Sequence, residues 1–200
     1  MTSLSQFRYF NYMAEPIFEK VFHFLRENNL LVGRHRILVA VSGGPDSCFL
    51  LHFFLWLRKQ ENIRLRVAYI HHHLRPEADR ELTFVRKMAE KAGVPFSFRH
   101  IYLKRGNSLE NQARLARYHA LADIARRTKC QTIATGHTLD DQAETVLMKI
   151  LRGCGLAGLR GIHPYAPGLP DCPISVIRPL LTLTKEEILK YLEQNSLPFL

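Results

Sequence analysis

Ser42-Gly43-Gly44-Pro45-Asp46-Ser47 stands between two apolar runs, Ile37 to Val41 before it and Cys48 to Leu57 after it. The first run has the length of a buried strand and the second opens a helix, so the six residues read as a strand-to-helix turn. Gly43 and Gly44 let the backbone approach a ligand with no Cβ in the way. The first amides of the helix point outward, unpaired, at the positive end of its dipole. Such a turn is a seat for phosphate. The common mononucleotide loop ends in Gly-Lys-Ser/Thr, whereas here Asp46 takes the place of a lysine. A carboxylate beside phosphates requires a cation, which makes Asp46 a candidate Mg2+ ligand. The plainer alternative is a glycine turn in which Ser42 or Asp46 caps the helix.

Outward from this turn, strand-like and amphipathic segments alternate, the pattern of an α/β fold: a five-stranded parallel sheet with helices on both faces. The strands are expected at Ile37 to Val41, Leu65 to Ile70, Phe96 to Leu103, Thr132 to Thr135 and Ser175 to Ile177. Helices are expected at Pro16 to Glu27, Asp46 to Gln60, Pro76 to Ala92, Leu109 to Arg127, Leu139 to Leu151 and Lys185 to Gln194. Ligands of such sheets collect at the carboxyl ends of the strands, and Ser42, His71 to His73, Gly136 to Asp141 and Arg178 each follow a strand. The Gly- and Pro-rich stretch 153–173 is the one long irregular segment, a linker or a functional loop.

Two hundred residues with 46% hydrophobic content suit one domain spanning 1–200 with a sizeable core. A formal charge of +10 favours a polyanionic partner, although a basic enzyme with no nucleic-acid role would show the same surplus. Cys48, Cys130, Cys154 and Cys172 show no close pairing and no secretory leader precedes them, which fits a reducing cytoplasm. Cys48 to Leu57 is far shorter than the roughly 20 residues that span a bilayer, so no membrane partner is expected.

Gly136-His137-Thr138-Leu139-Asp140-Asp141-Gln142-Ala143-Glu144 places acids in the first turn of a helix that Thr138 can cap. Those acids have a structural use, complementing the dipole and closing a capping box. Because the block follows the fourth strand, Asp140 or Asp141 could instead complete a Mg2+ site with Asp46. His71-His72-His73 invites a zinc reading, but no carboxylate or cysteine stands at matching spacing. Arg114, Arg117 and Tyr118 share a helix face with Glu110, either as an exposed ion pair with Glu110 or as guanidinium forks for phosphate and base edges. Arg152-Gly153-Cys154-Gly155 follows a helix; Gly153 alone could be its cap, while the further Gly155 and Gly158 suggest a loop that closes over substrate.

The Ser42–Ser47 turn resembles the signature of the PP-loop ATP pyrophosphatases. The ordered series of His72, Leu74-Arg75, Ser108-Leu109-Glu110, Ala113-Arg114, Arg117-Tyr118, Thr135-Gly136-His137, Asp140 to Thr145, Arg152-Gly153, Gly155, Gly158-Leu159 and Arg178 to Leu181 extends the resemblance from Arg36 to Tyr191. Within that family the series is similar to the branch acting on tRNA(Ile), the lysidine synthases. His71 and His73 depart from it, standing where relatives often have Asp or Asn and Gly.

The resemblance implies the Rossmann-like adenine nucleotide alpha hydrolase fold, with ATP and Mg2+ as cofactors. It also implies ligation of free L-lysine to the wobble cytidine of a tRNA(Ile) with a CAU anticodon, through an adenylated base. Ser42, Gly43, Gly44, Pro45, Asp46, Ser47, His72 and Gly136 would then hold the nucleotide, and Glu110, Arg114, Arg117, Arg152 and Gly153 the other substrates. Asp46, Arg114, His137, Asp140 and Asp141 would carry the chemistry, with His137 the candidate base and Asp46 and Asp140 the metal ligands. Relatives continue past the position of Leu200 into a basic segment and accessory tRNA-binding domains, so much of the tRNA grip is expected outside this stretch; a homodimer is left open. The rivals are a tRNA thiolation enzyme, which usually recruits paired cysteines, an amide-forming synthetase, which would leave the basic surplus unexplained, and an ATP-binding module without turnover, which the acid block disfavours.

Overall fold

Successive residues of the first strand feed two different cores: Ile37 and Val39 face one, Leu38 the other. This alternation is what a sheet covered on both sides demands. The computed structural model describes residues 16–33, 35–72, 77–102, 109–155, 158–168 and 174–200, with the side chains of 109–111 excepted. His73, Leu74, Arg75, Ser108 and Cys172 lie outside the described residues, as does the side chain of Glu110.

The strands are β1 (Arg36–Ala40), β2 (Arg64–His71), β3 (Phe96–His100), β4 (Thr132–Ala134), β5 (Tyr165–Ala166) and β6 (Ser175–Ile177). The helices are α1 (Pro16–Glu27), α2 (Pro45–Gln60), α3 (Ala78–Lys91), α4 (Leu109–Arg127), α5 (Leu139–Leu151) and α6 (Lys185–Gln194), with a 3-10 turn at Pro179–Thr182. The sheet order is β3-β2-β1-β4-β6-β5. All five expected strands are present and mutually parallel, but the sheet has six strands and is mixed, since β5 pairs antiparallel with β6. Two residues are too few to show an alternating pattern. Tyr165 and Ala166 are held by pairing with Ile177 and Val176, a tertiary cause that local sequence does not display.

One face of the sheet is covered by α1, α2, α3 and α6, and the other by α4, whose Leu121, Ala122, Ile124 and Ala125 pack on Leu38, Ala68 and Ile133. Helix α2 is apolar on nearly every side, as a helix walled in by others must be. Its Phe49 and Trp56 meet Phe18 of α1 at ring-centroid distances of 5.5 Å each, and Tyr191 of α6 closes the group at 5.0 Å from Phe18. Aromatic burial of this kind anchors both ends of the described chain to the helix that follows the glycine turn.

One polar group sits awkwardly in that helix. The Nε2 of His52 is buried without a hydrogen-bond partner, and burial holds its pKa down at about 4 against an ordinary 6.5. The unfolded chain takes up this proton as pH falls below 6.5, whereas the folded chain resists until about 4, so stability declines as pH falls through that window. His52→Leu is expected to flatten part of that decline when urea midpoints are compared between pH 6.5 and 4. An equal decline in the variant would place the acid sensitivity in other groups.

Candidate functional site

The order of the parallel strands reverses between β1 and β4, and the cleft lies at that reversal, where the crevice of such a sheet opens. It has a volume of about 500 Å³. Ser42, Gly44, Pro45, Asp46 and Ser47 form its floor, with Ala40 and Val41 beneath them.

The turn is wired before any ligand arrives. Ser47 Oγ donates to the Gly44 carbonyl at 2.9 Å and accepts from the Ser42 amide at 3.1 Å, while Ser42 Oγ stands 3.1 Å from it. Gly43 adopts φ +98°, a conformation side chains rarely take. No side chain caps α2, and Pro45 at its start has no N–H to lose, so its first amides are free to meet an anion. Neither Ser42 nor Asp46 caps the helix, which removes the plainer reading of this turn.

Gly136 brings β4 against the turn. A Cβ there would lie 3.2 Å from the Asp46 carbonyl carbon and oxygen and 3.3 Å from the Ser47 amide nitrogen, so any larger residue would force this backbone to give by a few tenths of an ångström. Thr138 then caps α5: its Oγ1 accepts from the Asp141 amide at 3.4 Å, and Asp141 Oδ2 accepts from the Thr138 amide at 2.9 Å. The expected capping box is therefore present, and Asp141 serves it.

Lys185 of α6 meets the acid block. Its Nζ lies 3.0 Å from Asp141 Oδ1, and its amide donates to Asp140 Oδ2 at 2.7 Å. Burial pushes the Asp46 carboxyl above its usual range, Lys185 opposes this, and Asp141 and Asp140 add to it. Burial acts in the same sense on Asp141, but the Thr138 amide and Lys185 outweigh it and hold that carboxyl low. Asp46 Oδ1 is buried with no hydrogen-bond partner, the mark of an acid awaiting a positive or donating group. Among the described residues no three His, Cys, Asp or Glu side chains converge as a metal cage. Mg2+ is commonly held by one or two carboxylates with phosphate oxygens completing its shell, and Asp46 with an acid of α5 fits that pattern. Asp141 lines the cleft; Asp140 does not.

His137 is held by a 2.9 Å contact between Nδ1 and Thr135 Oγ1. Burial, aided by the Arg178 guanidinium, lowers its pKa to about 4, so the ring is neutral near pH 7. Where Nδ1 donates to Thr135, Nε2 is left as the accepting nitrogen. His72 lines the cleft from the end of β2 and is lowered by burial and by Arg117. Its Nδ1 is buried without a partner, while the buried His71 contacts Asp79 at 3.2 Å on α3. Arg114 and Arg117 line the α4 wall, and the Arg114 guanidinium lies 5.8 Å from the Tyr118 ring centroid. Arg152 and Gly153 do not line the cleft. The amides of Gly153 and Cys154 donate to the carbonyls of Ile150 and Lys149 at 2.9 and 3.0 Å, and Gly153 has φ +72°, so backbone geometry alone accounts for this glycine as the cap of α5.

Glu144 and Thr145 of the acid block also line the cleft, as do Glu81 and Ile162, which were not singled out from sequence. Ile162 is placed by a clasp: Gln142 Oε1 accepts from its amide, Lys149 donates to the Arg160 carbonyl, and Arg178 donates to the His163 carbonyl at 2.6 Å. Arg178 is buried, and its Nε has no partner. The Asp-Asp-Gln spacing could have flagged Gln142, but nothing local ties it to a strand-end segment so far along the chain.

A family model described as PP-loop domain matches residues 13–200. The chain belongs to the PP-loop family. It is 38% identical over 187 residues to a tRNA(Ile)-lysidine synthase of Clostridioides difficile, covering 90% of this chain and 39% of that protein. A second tRNA(Ile)-lysidine synthase, from Chlorobaculum tepidum, is 38% identical, with 86% and 51% covered. The chain thus spans about two-fifths to one-half of these relatives' length. Among solved structures, a U34-tRNA thiolase of Methanococcus maripaludis superposes with TM-score 0.74 at 20% identity, covering 93% of this chain and 67% of that one. A glutamine-dependent NAD+ synthetase of Acinetobacter baumannii superposes at 0.60 and 14%, covering 90% and 33%. These two likenesses establish the adenine nucleotide alpha hydrolase type of fold, and ATP use follows from the family.

Gly136→Ala is expected to push the turn away from β4 and to weaken ATP binding by roughly 10-fold or more, with little loss of melting temperature. Calorimetric titration with ATP checks this; unchanged affinity would show that the turn tolerates the shift.

Proposed function

We propose that this domain carries out ATP-dependent ligation of lysine to the wobble cytidine of a tRNA(Ile) with a CAU anticodon. The observation that supports it most is the similarity to tRNA(Ile)-lysidine synthases over 90% of the chain, together with the convergence of the shared motif residues on one cleft. No helix among the described residues is long and apolar enough to cross a membrane, and the cytoplasm suits a tRNA substrate.

The oxygen on C2 of cytosine is a poor leaving group until it is adenylated. In the first step that oxygen attacks the α-phosphorus of ATP and pyrophosphate departs; the uncapped amides of α2 and the Ser42–Ser47 turn hold the phosphates in line. When bound by Asp46 and an acid of α5, Mg2+ supplies charge neutralisation for the leaving pyrophosphate. In the second step the lysine side-chain amine attacks C2, the C2–O bond breaks and AMP leaves. That amine must be uncharged to attack; once its nitrogen bonds to C2 it becomes strongly acidic, and the neutral His137 is the group proposed to take the proton it then loses. Asp141 and Glu144 give the α5 side of the cleft a negative wall suited to a cationic amino acid, while Arg114 and Arg117 give the α4 side a positive one suited to RNA. The cytidine must leave its stack to reach the cleft, as bases undergoing chemistry do.

The deciding assay incubates this chain, and a fusion carrying the remaining part of the Clostridioides difficile relative, with ATP, Mg2+, lysine and unmodified tRNA. Nucleoside masses are then measured. Lysine on cytidine is the expected product; sulfur incorporation, or pyrophosphate release with no tRNA change, would support the thiolase or synthetase reading instead. In the same assay Asp46→Asn is expected to lower Mg2+-dependent pyrophosphate release by roughly 100-fold or more while the melting temperature holds. Near-wild-type rates at limiting Mg2+ would remove Asp46 from the metal site.

A further inference from the structure

The outer edge of the sheet carries a row of aromatic rings that runs outward from Phe96, which packs against the core, to Phe98, His100 and Tyr102, which the core and cleft do not use. Phe96, Phe98, His100 and Tyr102 alternate along β3 and its continuation, so they share the face on which α3 lies. Their ring centroids are spaced 6.1, 5.4 and 6.5 Å apart, and the first and last pairs are nearly parallel, at 14° and 21°. Phe98 is 37% exposed and Tyr102 77%. The Arg86 guanidinium of α3 lies 5.7 Å from the Phe96 ring centroid and 5.5 Å from that of Phe98.

Burial does not explain the outer rings, because Tyr102 gains little by packing at that exposure. Edge strands normally carry charges or Pro that discourage other chains, not open aromatic rings. The row also leads to the site. His100 stands in register with His71, and the Ile101 amide donates to the His71 carbonyl at 2.9 Å. Tyr102 therefore lies toward the carboxyl edge of the sheet on the same face as Phe98, whose register partner Tyr69 lines the cleft, whereas His72 faces the α4 side.

We propose that the β3 row, Phe98, His100 and Tyr102 with Arg86, is a stacking platform for unpaired bases of the RNA whose target nucleotide enters the cleft. Every base has a π-face, so exposed aromatic rings take successive single-stranded nucleotides without regard to sequence, and a guanidinium over the same row adds attraction for base and backbone alike. The formal charge of +10 complements an RNA better than a basic or neutral protein partner. The platform rests on the RNA-modifying reading of the site and extends it: nucleotides flanking the extruded base need a surface to replace the stacking they lose.

The test titrates a fluorescent anticodon stem-loop RNA into wild type, Tyr102→Ala, Phe98→Ala and Tyr102→Phe across a salt series, with ATP binding and melting temperature as controls for folding. Each alanine variant is expected to bind the RNA roughly 5- to 150-fold more weakly with ATP binding unchanged. Tyr102→Phe, which keeps the ring, is expected to bind within about twofold of wild type. The slope of log affinity against log salt is expected to stay constant, because stacking releases no counterions. The proposal is overturned by unchanged RNA affinity in Tyr102→Ala, by failure of Tyr102→Phe to restore binding, or by no RNA binding in wild type. It is also overturned if the alanine variants instead abolish self-association in sedimentation, which would make the edge a contact between copies. Lysine transfer with normal binding in the variants would sink the platform and leave the enzymatic reading intact; stacking without lysine transfer would do the reverse.

Discussion

The cleft depends on one close approach, that of the end of β4 to the start of α2, with Gly136 against the backbone of Asp46 and Ser47. The parallel pairing of β1 with β4 sets the direction of that approach, and the missing Cβ sets its distance. With it, the anion-seeking end of one helix and the acid-bearing start of another face the same space, and two elements far apart in sequence become one site. A side chain at this point would move the glycine turn away from the acid-bearing start of α5.

Charge balance is the second constraint. Asp46, Asp140 and Asp141 cannot share a partly buried corner without a cation, and Lys185 supplies one through Asp141 and through its long-range effect on Asp46. The amide of the same residue holds Asp140. A metal carried in with triphosphate would meet a corner whose charge is already partly matched, so binding exchanges one pairing for another instead of filling a bare acidic hole. That arrangement keeps the folded protein stable without nucleotide, and it ties α6 to the turn.

Much of this was legible in the sequence, for reasons that can be named. The bounds of α5 and α6 agree with expectation because Thr138 and Thr184 are strong caps, and those of α1 and α4 agree as well. The strand-to-helix turn could be read because a glycine pair, an apolar strand and an apolar helix are local signals. What was illegible is tertiary. Strand β5 has no pattern of its own, Lys185 looks like an ordinary solvated residue of a first turn, and the clasp of Gln142 and Arg178 on 160–164 joins segments that share no local rule. Gly153 follows the Arg152 C-cap of α5 with φ +72° and lies outside the cleft lining.

The likeness to a tRNA thiolase and to an NAD+ synthetase, at 20% and 14% identity, is a likeness of fold. In the proposed reaction the sheet, the glycine turn and the first acids would serve the adenylation step. The acceptor must be chosen elsewhere, and the elements free to choose are the cleft walls: the arginine face of α4, the acids of α5, the segment bearing Ile162 and the rim beyond β3. These are also the elements with the most exposed side chains. Helix α5 has no buried residue at all among those described, while α2 beneath the phosphate seat is buried almost throughout. A rigid floor and a variable wall are what a scaffold needs when one activation step is to be paired with different acceptors. In this chain the cleft wall carries Arg114 and Arg117 toward α4 and Asp141 and Glu144 toward α5, so its two sides differ in the charge they present.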